Sequence, residues 1–433
     1  MRLNRHAVAA ICLLTLAAGS GCAPGTPHPS FQIGVDLPLT GPETRAATPA
    51  LNGVRFFFQR HPTLDGFDIV LTPLDDAHGA SASPQLGLAD IGRFVATENL
   101  LAMIGPFDAA VARKEIPAAN QASLAMVSPA ASSTCLTRDV YLPAGLNPAR
   151  IPITCQEAGL PSAADLRPNH TNNFFRLVTT DDLQGPAAAD YAAKSLHLLR
   201  AAVISDGEAY GQALADGFAA RLQKLGGTVV GRLELSATAD PAAFLGRMRA
   251  AGAQAVYFGG TAADKACLIR AGMSGIFPPG EATPFLGSDG IAEDPACVRD
   301  AAANGQGIFA TLPIVDAGST PAATALAAQF KGAYGRTSDY GPYTVLAYDA
   351  AAALYAALDR AIRAAGGRLP ARADVVSQLA ATSGFPGATG TFSFDASGDT
   401  TNRAVSLFEP SGSNPRLPWK FVSAIDYSGA LPY

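Results

Sequence analysis

The chain offers few residues able to do covalent chemistry. A serine or cysteine nucleophile needs a base within reach, and the six histidines stand scattered at positions 6, 28, 61, 78, 170 and 197. No GxSxG, HExxH or phosphate-binding loop occurs, and no GxGxxG follows a strand. Catalysis is not expected, and no cofactor or metal is implied. The cysteines report a compartment instead. Cys12 lies in an apolar leader and Cys22 just after it, leaving Cys135, Cys155, Cys267 and Cys297. An even count in an oxidising compartment implies two disulfides. Three pairings are open. The local ones, Cys135–Cys155 and Cys267–Cys297, are favoured, because each closes a loop inside one half of the chain. Zinc is the rival reading and is disfavoured: no two of these cysteines are close, and none has a histidine at a ligand spacing.

What recurs is a strand ending in small or polar residues: "PLTGP", "PLDD", "IGPFDA", "VSPAASS", "ISDGEAYG", "YFGGTAADK" and "LGSDGIAED". In open parallel sheets, ligands settle just beyond strand C-termini, where helix N-termini offer free N–H groups. The elements that carry these ends alternate. "FQIGVDLPL", "FDIVLTPLDD", "LLAMIGP" and "LAMVSPA" read as strands, separated by helices such as "PQLGLADIGRFVATE". Short apolar strands between amphipathic helices predict an α/β fold with a parallel sheet covered on both faces. The pattern restarts at "RAAVISD", so one architecture is laid down twice. "NNFFRLVTTDDLQGPAAADY" joins the two: Phe174–Val178 reads as a crossing strand, and Gly185-Pro186 opens the next helix. "GQGIFATLPIV" reads as a second crossing. "GATGTFSFDASGDTTNRAVSLFEP" reads as a hairpin that makes a third. The expected lobes are residues 31–177 plus 309–387, and 178–308 plus 388–433.

Composition narrows the partners. Of 433 residues, 48% are hydrophobic and 15% charged, with a net charge of −5 and no basic block, which argues against nucleic acid. The N-terminus carries two arginines, the apolar run "AVAAICLLTLAA" and then "GSGC". That run is too short to span a membrane and fits a signal peptide over residues 1–21. Small residues before Cys22 look like a bacterial lipoprotein cleavage site, with Gly19 where leucine is usual. Residues 22–30 then form a tether. The mature chain is expected outside the cytoplasm, lipid-anchored and facing the periplasm or cell exterior.

Taken in order, "LPLTGP", "DDAHGASASPQLGLADIGRFV", "AMIGPFDAAVA", "VSPAASS", "NFFRLVTTDDLQGPAAADY" and "GSDG" resemble the branched-chain amino-acid-binding type of periplasmic binding protein. That family supplies the substrate-binding component of ABC importers. The resemblance covers about Phe31 to Glu409. It implies a type I fold, two Rossmann-like lobes with parallel sheets joined by three hinge crossovers and closing on a ligand. It also implies a small-molecule ligand, a membrane permease as partner and a monomeric state. Carried over by motif, Ala109 stands where the family places a ligand-binding serine, with Asp108 before it. Ala130 would offer backbone groups and Ser132 a hydroxyl. Tyr210 would cover the ligand, and Thr261 stands where some members have tyrosine. Asp289 would pair with an α-ammonium, Tyr343 would wall the side-chain pocket, and Arg45 lies in the first ligand loop, able to replace the lost serine. Each also has a plain structural reading: Asp108 and Ser132 as helix caps, Tyr343 as core, Arg45 as a solvated side chain. Asp75 and Asp76 are read as loop stabilisers. A sensory receptor on the same fold and an exported hydrolase are the rival functions. The stretch Cys135–Asn169 is longer than the resemblance leads one to expect, and is read as a cleft rim or a docking element.

Overall fold

The computed structural model describes residues 28–141, 154–261, 265–277, 283–292, 297, 307–316, 318–335, 340–411 and 419–432. The leader, Cys22 and most of the tether lie outside them. In chain order the strands are β1 (Ser30–Leu37), β2 (Thr63–Leu64), β3 (Phe67–Asp75), β4 (Leu100–Ile104), β5 (Ala125–Ser128), β6 (Phe174–Arg176), β7 (Arg200–Ser205), β8 (Thr228–Glu234), β9 (Ala255–Gly259), β10 (Phe285–Gly287), β11 (Ile308–Leu312), β12 (Phe385–Gly387), β13 (Gly390–Phe392), β14 (Ala404–Pro410) and β15 (Trp419–Asp426). The helices are α1 (Thr44–Arg60), α2 (Pro84–Ala96), α3 (Ala109–Gln121), α4 (Gln184–Asp190), α5 (Ala209–Lys224), α6 (Pro241–Ala250), α7 (Ala266–Gly272), α8 (Asp289–Ala292), α9 (Pro321–Tyr334), α10 (Thr344–Ala364) and α11 (Arg372–Ala380).

The strands assemble two sheets. The first runs β2-β3-β1-β4-β5-β6, parallel except at β2. The second runs β15-β14-β11-β10-β9-β7-β8, parallel from β11 to β8 and antiparallel at β14 and β15. Both faces of the first sheet's central strands β1, β4, β5 and β6 are covered, as their continuous apolar runs require, while β3 near the edge stays partly exposed. In β4, Leu101 and Ile104 join the core under α1 and α10, whereas Leu100 and Met103 face α2 and α3 with Ile91, Phe94 and Ile116. Helices α1 and α10 approach so closely that a Cβ at Gly53 would collide with the carbonyl oxygen of Thr344. Proline opens α2, α6 and α9, each preceded by a serine, aspartate or threonine whose side chain accepts a backbone N–H.

Three passages join the lobes, and they meet at Thr179. Its N–H donates to Pro313 O at 2.8 Å, and its hydroxyl donates to Ala404 O at 2.9 Å. Two expected boundaries move. The run "GIFATLP" stays with the second sheet, because β11 pairs with β10 and β14. The chain turns back at Pro313, which lacks the N–H a continuing strand would use, and not at 309. The hairpin β12-β13 and Phe394, whose ring lies 5.1 Å from that of Phe175, stay with the first lobe. The last passage therefore comes just before Ala404, and not at 388. No helix among the described residues is long and apolar enough to cross a membrane.

Candidate ligand-binding cleft

The C-terminal edges of the two sheets face each other across a cavity of about 450 Å³. The first lobe supplies Phe107, Asp108 and Ala109 from the β4–α3 turn, and Ala130 and Ser132 from the loop after β5. The second lobe supplies Tyr210 from α5, Thr261 after β9, and Asp289 after β10. Tyr343, at the entrance to α10, closes one wall and lies edge-to-face on Phe107 at 4.9 Å. Eight of the nine expected residues thus share one surface. Arg45 does not. Helix α1 begins at Thr44, and its first turn aims Arg45 at solvent while Glu43, its N-cap, lines the cavity. Ala130 needs a second correction. Its N–H donates to Ser128 Oγ at 3.2 Å, as does that of Ala131 at 2.9 Å, so Ala130's amide is already engaged.

Asp289 sits at the centre of the second-lobe wall. It accepts hydrogen bonds from the Tyr210 hydroxyl and from Gln184 Nε2, the latter at 3.0 Å. Tyr210 also meets Ser288 Oγ at 2.9 Å. Gln184 Nε2 donates to Asp181 as well, at 3.0 Å, so one amide is shared between two carboxylates. Burial and the neighbouring Asp289 charge push Asp181 up to about 7, with the Ser132 hydroxyl and Gln184 working against the rise. Burial raises Asp289 too, eased by Tyr210 and Gln184. Opposite, Asp108 caps α3, accepting from Ala110 N at 2.6 Å and Val111 N at 3.1 Å, so its cap reading holds alongside its place in the cavity. Burial and the nearby Asp108 raise Glu43, while burial lowers Arg113 against the support of Asp108.

Sequence reasoning missed Glu43, Arg113, Tyr141, Leu160, Asp181 and Asp182, all of which line the cavity. Arg113 was findable: it follows Ala109 by one helical turn and shares its face. Asp181 and Asp182 looked like the exit of a crossing strand. Asp182 is engaged by Arg138, at 3.3 Å. Tyr141 and Leu160 belong to the long stretch after Cys135, which therefore walls the cleft. The Cys135–Cys155 disulfide staples that wall, and Cys267–Cys297 closes the second local loop, so both favoured pairings form. Behind the wall, fully buried Arg176 donates to Asp399 at 2.7 Å, to Ala131 O at 3.0 Å, to Ser133 O at 2.7 Å and to Thr137 Oγ1. It thereby fixes the loop that carries Ser132. Asp75 accepts from Leu39 N at 2.9 Å and Thr40 N at 3.3 Å, holding the loop after β1. No trio of histidine, cysteine or acidic residues among the described residues is arranged to hold a metal.

The Periplasmic binding protein family matches residues 30–414. The chain belongs to that family. Among curated relatives, the "Leu/Ile/Val-binding protein BraC3" of Rhizobium johnstonii is 27% identical over 403 residues, 91% of this chain and 95% of that protein. An "Amino acid binding protein" of Pseudomonas aeruginosa is 29% identical over 235 residues, and the match spans about half of each chain (53% and 52%). A solved leucine binding protein from Thermotoga maritima superposes with a TM-score of 0.67 at 23% identity, over 91% of this chain and 98% of its own. A solute binding protein from R. palustris in complex with 4-hydroxybenzoate gives 0.68 at 17%, over 92% and 97%. The two-lobed periplasmic binding protein fold is common to this chain and both solved structures.

Proposed function

We propose that this periplasmic binding protein captures an amino acid or closely related small molecule between its lobes and delivers it to an ABC permease. One observation carries the reading. A single cavity draws its walls from both lobes, with Asp289 held ready by Tyr210 and Gln184 on one side and Ser132 on the other. A zwitterion leaving water needs an anion for its ammonium, because an unpaired buried charge costs several kcal/mol. Contacts to both lobes then shift the open–closed population toward the closed form, which is the form a permease would read. Residues 1–21 direct export and Cys22 carries the lipid, leaving the mature protein tethered outside the cytoplasmic membrane and acting as a monomer. The test is a thermal-shift screen of the mature chain, with a tag replacing the lipid, against amino acids, amides, polyamines, small carboxylates and aromatic acids. A ligand at a hundred times its Kd stabilises the fold by about 2.7 kcal/mol. Asp289→Ala should abolish the shift given by any α-amino ligand while leaving the free protein folded. An unchanged shift removes Asp289 from the site, and silence across the whole panel refutes the function.

A further inference from the structure

The walls of the cleft are unequal in charge. Among the described residues, Glu43, Asp108, Asp181 and Asp289 face the cavity without a salt bridge, against one cation, Arg113. Asp182 also lines it but is spoken for by Arg138. The four carboxylates fall into two groups. Asp181 and Asp289 share the single amide of Gln184. Glu43 and Asp108 lie near enough to repel each other, with Arg113 beside Asp108. The same cavity presents apolar surface from Phe107, Ala109 and Tyr343, with the Phe107 and Tyr343 rings 4.9 Å apart. A neutral zwitterion such as leucine would satisfy one ammonium partner and leave the rest of this charge uncompensated. An anionic aromatic acid would add to it.

From this juxtaposition we infer that the ligand is an aliphatic dication, with one ammonium at Asp181 and Asp289, a second cationic nitrogen at Glu43 and Asp108, and a methylene chain along Phe107 and Tyr343. The inference rests on the binding function proposed above and sharpens its ligand class. Two sources share this chemistry. A basic α-amino acid adds a carboxylate, for which Arg113 and Ser132 are the donors at hand. A diamine lacks it. The raised protonation range of Asp181 and Asp289 agrees with two carboxylates waiting for a cation.

Isothermal titration of the mature chain at pH 7.5 in low salt, with lysine, norleucine, cadaverine, leucine and 4-hydroxybenzoate, decides the matter. Lysine and norleucine have the same backbone and near-equal length, so their ratio reads the second nitrogen alone. Lysine or cadaverine should bind at least tenfold tighter than norleucine and leucine. Lysine ahead of cadaverine identifies the amino-acid source, and the reverse order the diamine. Glu43→Gln and Asp108→Asn, the latter still able to cap α3, should each cut the lysine-over-norleucine preference at least fivefold. Leucine or norleucine binding as tightly as the better of lysine and cadaverine overturns the inference and leaves the transport function standing. So does 4-hydroxybenzoate binding tightest. An unchanged preference in both variants also overturns it. No heat with any of the five, together with silence in the wider thermal panel, overturns inference and function alike.

Discussion

Arg176→Met removes a guanidinium that is completely buried and makes four hydrogen bonds. Three consequences follow. Asp399 loses its shorter ion pair but keeps Arg138, whose Nε stands 3.2 Å away and whose side chain is about a quarter exposed (28%). The carbonyls of Ala131 and Ser133 lose a donor. The hydroxyl of Thr137 loses its donor and keeps only the Thr134 carbonyl, at 3.4 Å. Breaking a buried pair from one side costs about 3–5 kcal/mol, and an orphaned buried acceptor about 1–3 kcal/mol. Because Arg138 remains and water can reach part of the loop, a loss of about 3–4 kcal/mol is expected. Urea titration followed by circular dichroism measures it. Adding Asp399→Leu should recover at least half of the loss, since an apolar pair has no charge to desolvate. Asp399 also marks the acid side. Burial pushes its carboxyl up, but Arg176 and Arg138 hold it below the ordinary range. Its contribution is present above the unfolded value and is lost as pH falls through the folded one, so this acid sensitivity should shrink in Arg176→Met. A loss under about 1 kcal/mol, or a double variant no better than the single, refutes the account of this network.

The remaining predictions concern the scaffold. Asp76 is fully buried with both oxygens unpartnered, and burial, with Asp36, Asp108 and Glu43 nearby, lifts it to about 8. It folds protonated, so its stabilising effect is full below the unfolded value and wanes as pH rises from about 4 to about 8. Asp76→Asn should melt above the parent at pH 8.5 by more than at pH 5, and equal shifts at the two pH values would count against it. Gly53→Ala forces α1 off α10 at Thr344 and should cost about 1–3 kcal/mol, read by thermal melting; no loss would mean that the helices separate freely. Cys267→Ser opens a loop with a sequence separation of 30. It should cost about 3–4 kcal/mol in chain entropy, and reductant, which also opens Cys135–Cys155, should bring parent and variant to a common stability; a parent indifferent to reductant contradicts the bridge's role.

How much of this was legible beforehand depends on what each residue announces. Strand-to-helix turns such as "GSDG" and "EAYG" bring Asp289 and Tyr210 to the same wall of the cavity, because polar residues just beyond a parallel strand gather at its C-terminal edge. Arg45 failed on helical phase. It stands two positions after Glu43, so a small error in where α1 starts exchanges the inward and outward positions. Asp181 and Asp182 were hidden by type, since aspartates after a strand are also ordinary turn residues. The boundary at 309 erred because a continuous apolar run does not say which of two sheets will bury it. Only the pairing of β11 with β10 decides. Ala130 lines the cavity, but its amide is already engaged, and the claimant, Ser128, sits two residues upstream at the end of β5.

Thr179 carries a mechanical consequence. It ties the three inter-lobe passages together with two hydrogen bonds, and it lies outside the ladders of both sheets. A rotation about it can swing the lobes apart without unzipping a strand pair. The free energy of gaping is then set by the knot, by the neighbouring contacts of Arg138 with Thr180 and Asp182, and by whatever fills the mouth, and the cohesion of each lobe does not enter it. Such a joint lets cargo turnover be tuned by one hydroxyl, while resistance to heat is tuned elsewhere, at Arg176 and at the two disulfides.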